Sequence, residues 1–152
     1  MSHGGNEMEV RGAVPDDAAA IASLSGELGY PSTGSDVRRR LFDLKTAADH
    51  AVMVAEDSPG RVVGWVHVFR APRLGGEPFA ELGGLVVTES LRGRGIGRRL
   101  VEEAEVWAAA RDLQTLRIRT RTTRGDTRLF YEDLGFVLTK TQVVFERHLG
   151  SS

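Results

Sequence analysis

Apolar positions along the 152-residue chain change period repeatedly between about two and about 3.6 residues, so strands and helices should alternate. Met8, Val10 and Gly12 alternate with Glu9, Arg11 and Ala13 and predict a short first strand. Pro15-Asp16-Asp17 opens a helix, because proline fits a first helical turn and carboxylates favour the positive end of the helix dipole. Ala18, Ile21, Ala22, Leu24 and Leu28 supply its stripe, and Gly29-Tyr30-Pro31 stops it. A second helix is expected after Ser35-Asp36, with Val37, Leu41, Phe42 and Leu44 at helical spacing and Arg38-Arg39-Arg40 as its solvated face.

Ala51–Glu56 reads as a strand, closed by the turn Asp57-Ser58-Pro59-Gly60. Arg61–Arg70 alternates, with Val63, Trp65, His67 and Phe69 facing one way and Val62, Gly64, Val66 and Val68 the other. A Gly/Pro-rich loop, Ala71–Pro78, leads to a strand near Phe79–Val87. Gly95–Arg111 is the clearest helix, with Ile96, Leu100, Ala104 and Trp107 as its buried stripe. Leu116 and Ile118 mark another strand, Asp126–Leu134 a short helix capped by Gly135, and Phe136–Leu138 and Gln142–Arg147 two final strands. The order β-α-α-β-β-β-α-β-α-β-β implies an α/β (α+β) fold, a mixed and mostly antiparallel sheet with helices on both faces. No repeat or linker divides the chain, so residues 7–148 should form one domain between tails at 1–6 and 149–152.

Composition narrows the function classes. Lys and Arg number 20 against 21 Asp and Glu, a net charge of −1, which argues against a nucleic-acid or membrane-surface protein. With no cysteine, disulfides, thiolate metal sites and a cysteine nucleophile are excluded. His3, His50, His67 and His148 show no paired ligand spacing, so no metal is expected, and His67 reads as a packed strand histidine beside Trp65 and Phe69. The polar first residues and the lack of an apolar run of bilayer length imply a cytoplasmic protein.

The stretch from Leu85-Val86-Val87 to Arg92-Gly93-Arg94-Gly95-Ile96-Gly97-Arg98 carries the chemistry. A buried strand runs into a glycine-rich turn that opens a long helix, so backbone N–H groups and a helix N-terminus converge where an anion can sit. The spacing fails the Gly-x-Gly-x-x-Gly dinucleotide fingerprint, because Arg98 or Leu100 holds its last position. A P-loop fails as well, since the only lysines are Lys45 and Lys140.

Arg92 to Gly97 after Leu85-Val86-Val87 resembles the coenzyme A pyrophosphate loop of the GCN5-related N-acetyltransferases. Leu129-Phe130-Tyr131-Glu132-Asp133-Leu134-Gly135-Phe136 resembles that family's Phe-Tyr-x-x-x-Gly-Phe segment, 34 residues after Gly97 as measured to Tyr131. Together the two motifs extend the resemblance over roughly Val10 to Arg147.

The resemblance implies acetyl-CoA as cosubstrate and direct transfer of its acetyl group to a primary amine of a small molecule or peptide. The backbone of Leu85, Val86 and Val87 would hold the pantetheine arm, and the N–H groups of Gly93, Arg94, Gly95, Ile96, Gly97 and Arg98 the pyrophosphate. The side chains of Arg92 and Arg94 would pair with phosphates or stay outside the loop. Tyr131 corresponds to the general acid for the leaving thiolate, and the N–H of Val87 would meet the oxyanion. Glu81, eleven residues before Arg92, stands where one branch of the family places its base, and strand alternation sets Glu81, Gly83, Leu85 and Val87 on one face. Tyr30 falls in a connection that lines the acceptor site in relatives. Arg124 occupies a position where members often carry an asparagine on the pantetheine, Thr127 one where alanine is usual, and Gly83 one that is acidic in some relatives. A CoA-binding sensor without turnover and an O-acyl or longer-chain transferase remain alternatives. Homodimers are common in the family.

Overall fold

Residues 8–27, 31–120 and 125–150 are described by a computed structural model, and the chain divides into two compact units, Met1–Ile118 and Arg119–Ser152. The first unit holds a five-stranded sheet in the order β1 (Glu9–Gly12), β2 (His50–Ser58), β3 (Arg61–Ala71), β4 (Phe79–Val87) and β5 (Leu116–Ile118). Neighbours from β1 to β4 are antiparallel, while β5 joins β4 in parallel.

Helices α1 (Ala18–Glu27) and α2 (Gly34–Lys45) cover one face of this sheet. Ala18, Ile21, Ala22 and Val37 enclose Val54, with Val62 and Trp65 packed against them. Helix α3 (Ile96–Ala109) covers the other face, burying Ile96, Gly97, Leu100, Val101, Ala104 and Ala108 at helical spacing. Gly64 lies beneath it, and a Cβ there would come within 3.1 Å of Leu100 and 3.3 Å of Ile96. Trp107, expected in the stripe, is only half-buried, and its ring carries the Arg111 guanidinium 4.0 Å above it.

An ion-pair knot fastens the entry to α1. Asp17, 6% exposed, accepts two 2.9 Å hydrogen bonds from the Arg11 guanidinium and one of 2.8 Å from the Val14 N–H. The Arg11 hydrogen bonds hold the Asp17 carboxyl below the usual carboxylate range. Arg11 also reaches Glu56 at 3.4 Å, which in turn accepts from the Gly60 N–H in the β2–β3 turn. α2 begins earlier than Ser35-Asp36 suggests, because Thr33 Oγ1 accepts from the Asp36 N–H at 3.0 Å and caps the helix.

Register shifts alter the strand faces read from alternation. On β3, Ala55 lies opposite Gly64 and Glu56 opposite Val62, so Val63 is the extra residue and Val62 joins Trp65 on the α1–α2 face. On β4, Val68 lies opposite Leu82 and His67 opposite Gly84, which leaves Gly83 as a bulge.

The second unit contains α4 (Gly125–Asp133), which ends in a left-handed Gly135 at φ 95° with the Phe136 N–H returning to the Tyr131 carbonyl. The two expected final strands do not form among the described residues: 136–138 and 142–147 lie outside any ladder. Val143 and Phe145 are 77% and 90% exposed. Apolar β-formers favour an extended backbone, but a strand exists only where another supplies hydrogen bonds, and alternation does not name that partner.

Candidate cofactor and acetyl-transfer site

The site is built where β4 leaves the sheet. β5 covers β4 only along Ala80–Leu82, so among the described residues the sheet places no strand on that edge from Gly83 to Val87. The opposite edge of β4 is paired with β3 through Val87, and Thr88 continues with its N–H bonded to the Val63 carbonyl. Every second residue along Gly83–Val87 therefore turns both its N–H and its C=O away from β3, an arrangement suited to an extended amide-bearing ligand.

After β4 the chain makes a short turn of 3₁₀ helix, Glu89–Leu91, and reaches Arg92-Gly93-Arg94-Gly95. Gly93 and Gly95 sit at φ 82° and 84°, a backbone region costing any other L-residue roughly 1–2 kcal/mol. Gly95 is the N-cap of α3 and has no side chain to bond the first-turn N–H groups, and no acidic residue stands in that turn. The positive end of the helix dipole is thereby left to an external anion. Arg92, Arg94 and Arg98 have exposed side chains around this turn, whereas Ile96 and Gly97 are buried and anchor it to the sheet.

Sequence reasoning missed a clamp on this turn. Glu27, at the end of α1, accepts from the Thr88 hydroxyl at 3.3 Å and the Glu89 N–H at 3.0 Å, fixing where the turn departs. An acid closing a helix gave no signal by itself, since its partners lie 61 and 62 residues away.

The Gly83 bulge changes the place of Glu81. Cross-strand partners share a face, so Glu81 sides with Phe69 and with Trp65, which lies opposite Val86. Leu85 and Val87 lie opposite Val66 and Gly64 and belong to the α3 face. The expectation that Glu81, Leu85 and Val87 share one face is thus overturned by the one-residue insertion. On β5, Arg117 stands opposite Glu81, and its guanidinium lies 4.0 Å over the Phe79 ring.

His67 is not the lone packed histidine the sequence suggests. Its Nε2 is 2.9 Å from His50 Nδ1, and the two rings lie against Phe69. Burial, with the neighbouring His50, lowers the His67 pKa to about 4 and keeps the ring neutral at pH 7. Among the described residues no group of three or more His, Asp or Glu could hold a metal.

Leu85, Val86, Val87 and Arg92–Arg98 are thus consecutive parts of one strand–turn–helix. Tyr131 belongs to the second unit, on α4, edge-on to the Phe130 ring at 5.0 Å and the Phe136 ring at 5.6 Å. Burial pushes its phenol up to about 12. Tyr30 and Arg124 lie outside the described residues.

Comparison with known proteins agrees with this fold. A transcriptional regulator from Bacillus halodurans C-125 superposes with a TM-score of 0.83 at 22% identity, covering 93% of this chain and all of the other. The aminoglycoside 6'-N-acetyltransferase AAC(6')-Ih from Acinetobacter baumannii gives 0.82 at 20% identity, over 95% of this chain and all of that one. AAC(6')-Iy, in complex with the bisubstrate analogue CoA-S-monomethyl-acetylneamine, gives 0.83 at 17% identity over 95% of this chain and all of its own. No curated protein sequence matches significantly. The family model described as Acetyltransferase (GNAT) family matches residues 18–136, spanning the Arg92–Gly97 turn and the Tyr131 segment, and the chain belongs to that family.

Proposed function

We propose that the chain transfers the acetyl group of acetyl-CoA directly to a primary amine of a small molecule or peptide. The observation that carries this reading is the β4 edge left, among the described residues, without a strand from Gly83 to Val87, leading straight into a turn with glycines at positive φ and a helix without a side-chain cap. Leu85, Val86 and Val87 would take the pantetheine amides by strand-like addition, and the N–H groups of Gly93 to Arg98 the pyrophosphate. The exposed side chains of Arg92 and Arg94 are close enough in sequence to add charge. The bisubstrate complex of AAC(6')-Iy supports both the cofactor and a small-molecule amine as acceptor.

In this reading the Val87 N–H meets the oxyanion and Glu81 takes the amine proton, directly or through water. Tyr131 serves the leaving thiolate. A phenol at about 12 keeps its proton at neutral pH, and full transfer to a thiolate of ordinary pKa about 8.5 is uphill. Its contribution is therefore hydrogen-bond donation that strengthens as sulfur charge develops. Residues 7–148 act as one catalytic domain, a view supported by a family match that crosses from Ile118 into Arg119. Tyr30 would border the acceptor and Arg124 the pantetheine, as the family motif suggests. No helix among the described residues is long and apolar enough to cross a membrane, in keeping with a cytoplasmic enzyme, and family habit supports a homodimer.

The test is calorimetric titration with acetyl-CoA, followed by thiol release against polyamine, aminosugar, amino-acid and peptide amines. Tyr131→Phe should lower kcat about 10- to 100-fold with KM for acetyl-CoA nearly unchanged. Failure to bind at near-millimolar cofactor overturns the assignment. Binding without release by any amine would favour a CoA-sensing module, a reading to which the regulator-like fold neighbour lends support. Release only to hydroxyl acceptors, or only from longer acyl-CoA, would redirect the chemistry.

A further inference from the structure

His50 and His67 lie on neighbouring strands of the face that also carries Glu81. In one row across the sheet stand His50, Phe69 and Glu81; in the next, Val52, His67 and Gly84. The imidazoles meet end to end, His50 Nδ1 to His67 Nε2 at 2.9 Å, and both are part-buried. The far side of the His67 ring fills the space above Gly83. A Cβ on that residue would overlap Nδ1 and come within 2.8 Å of Cε1. Gly83 itself is exposed, so this end of the ring lies beside an open stretch of β4, two residues before the backbone assigned to the cofactor.

Two imidazoles joined in this way, when they share two ring protons between them, hold one as the bridge and one outside it. When His67 donates the bridge, its Nδ1 carries a lone pair and His50 Nε2 carries the outer hydrogen. A proton arriving at His67 Nδ1 moves the bridging proton from His67 Nε2 to His50 Nδ1, and His50 releases its own Nε2 proton to water. One proton enters and one leaves, no electrons are exchanged, and the pair ends neutral. Tautomer exchange with solvent restores the starting arrangement. A ring that holds a proton poorly, as burial makes His67, suits a conductor better than a store.

We propose that His67 and His50 form a proton relay that drains the acceptor nitrogen during acetyl transfer, with His67 Nδ1 beside the Gly83 bulge as entry and His50 as exit. The inference rests on the amine-acetylation reading above. It gives the proton a route that Glu81 alone does not define.

His67→Gln keeps a group at the Nε2 position and removes the entry nitrogen; His50→Asn keeps one at the Nδ1 position and removes the exit. Each should lower kcat about 10- to 100-fold while leaving the calorimetric Kd for acetyl-CoA unchanged. Because both interrupt one path, the double variant should be no slower than the slower single one. Millimolar imidazole should restore part of the activity of His67→Ala, a response that a packing role would not give. Wild-type kcat in either conservative variant, independent losses that multiply, or absence of rescue overturns the relay and leaves the acetyltransferase standing. Failure of acetyl-CoA to bind, or binding without thiol release from any amine in the panel, overturns both.

Discussion

Replacing Asp17 by Asn keeps the side chain's size and removes its charge. The carboxylate is nearly excluded from water and satisfied by three donors, two from Arg11 and one from the Val14 backbone. Asn retains one acceptor oxygen and turns an NH₂ toward the guanidinium, so one charge-assisted bond is lost and another weakened. Bonds to charged groups contribute roughly 1.5–3 kcal/mol each. Arg11 keeps Glu56 at 3.4 Å and has a side chain 32% exposed, so it is not left as an uncompensated buried charge. The net loss should be about 2 kcal/mol, or about 4–8 °C in Tm for a chain of this size. Urea unfolding of both proteins at pH 7 and through acid measures it.

The sign of the pH effect follows from the depressed folded-state pKa. The unfolded chain binds the Asp17 proton more readily, so this contribution is complete above the unfolded value of about 3.9 and is lost as pH falls through the folded pKa. The gap between wild type and Asp17→Asn should therefore be flat from pH 7 to about 5 and shrink below about 4. A gap under about 0.5 kcal/mol at pH 7, or one that does not close in acid, refutes the reasoning, since surface substitutions alone fall in that range.

Two further predictions concern the turn assigned to the cofactor. Gly95→Ala meets nothing within 4 Å of the new Cβ, so its cost is the φ of 84° alone, and acetyl-CoA affinity should fall about tenfold by calorimetry. Gly26→Ala, inside α1 and also open, is the control and should raise stability by about 0.5–1 kcal/mol with affinity unchanged. Glu27→Ala releases Thr88 and Glu89, and should raise KM for acetyl-CoA two- to fivefold with kcat retained; an unchanged KM would mean that the turn holds its course without the clamp.

The glycine turn before α3 was legible in the sequence because its signals are local. Glycines needing positive φ, the helix start and the stripe from Ile96 to Ala104 all lie within about a dozen residues. The Glu27 clamp and the His50–His67 pair were invisible for the opposite reason. They depend on which strand or helix end lies beside which, and their partners are 61 and 17 residues apart. Periodicity assigns a residue to a face, and a bulge reassigns it. Gly83-Gly84 inside a strand was the available hint, since paired glycines in a ladder often mark an extra residue or a close ring, here His67 and Trp65. Val143, Val144 and Phe145 show the limit of alternation as a guide, because a strand is a relation between two segments.

The extra residue in β4 has a consequence for how such a chain can change over time. A strand without it would keep one alternation of faces along its whole length, and any shift in one half would be repeated in the other. With Gly83 inserted, the first half shows Glu81 to one layer of the protein while the second half shows Leu85 and Val87 to the opposite layer. Under the proposed function, the segment assigned to the acceptor and the segment assigned to the cofactor are thereby decoupled. On that assignment, substitutions before the glycine would alter the acceptor side while leaving the orientation of the stretch after it unchanged. Losing that single residue would turn one half over relative to the other, so a one-codon deletion there should harm the protein more than most substitutions in the strand.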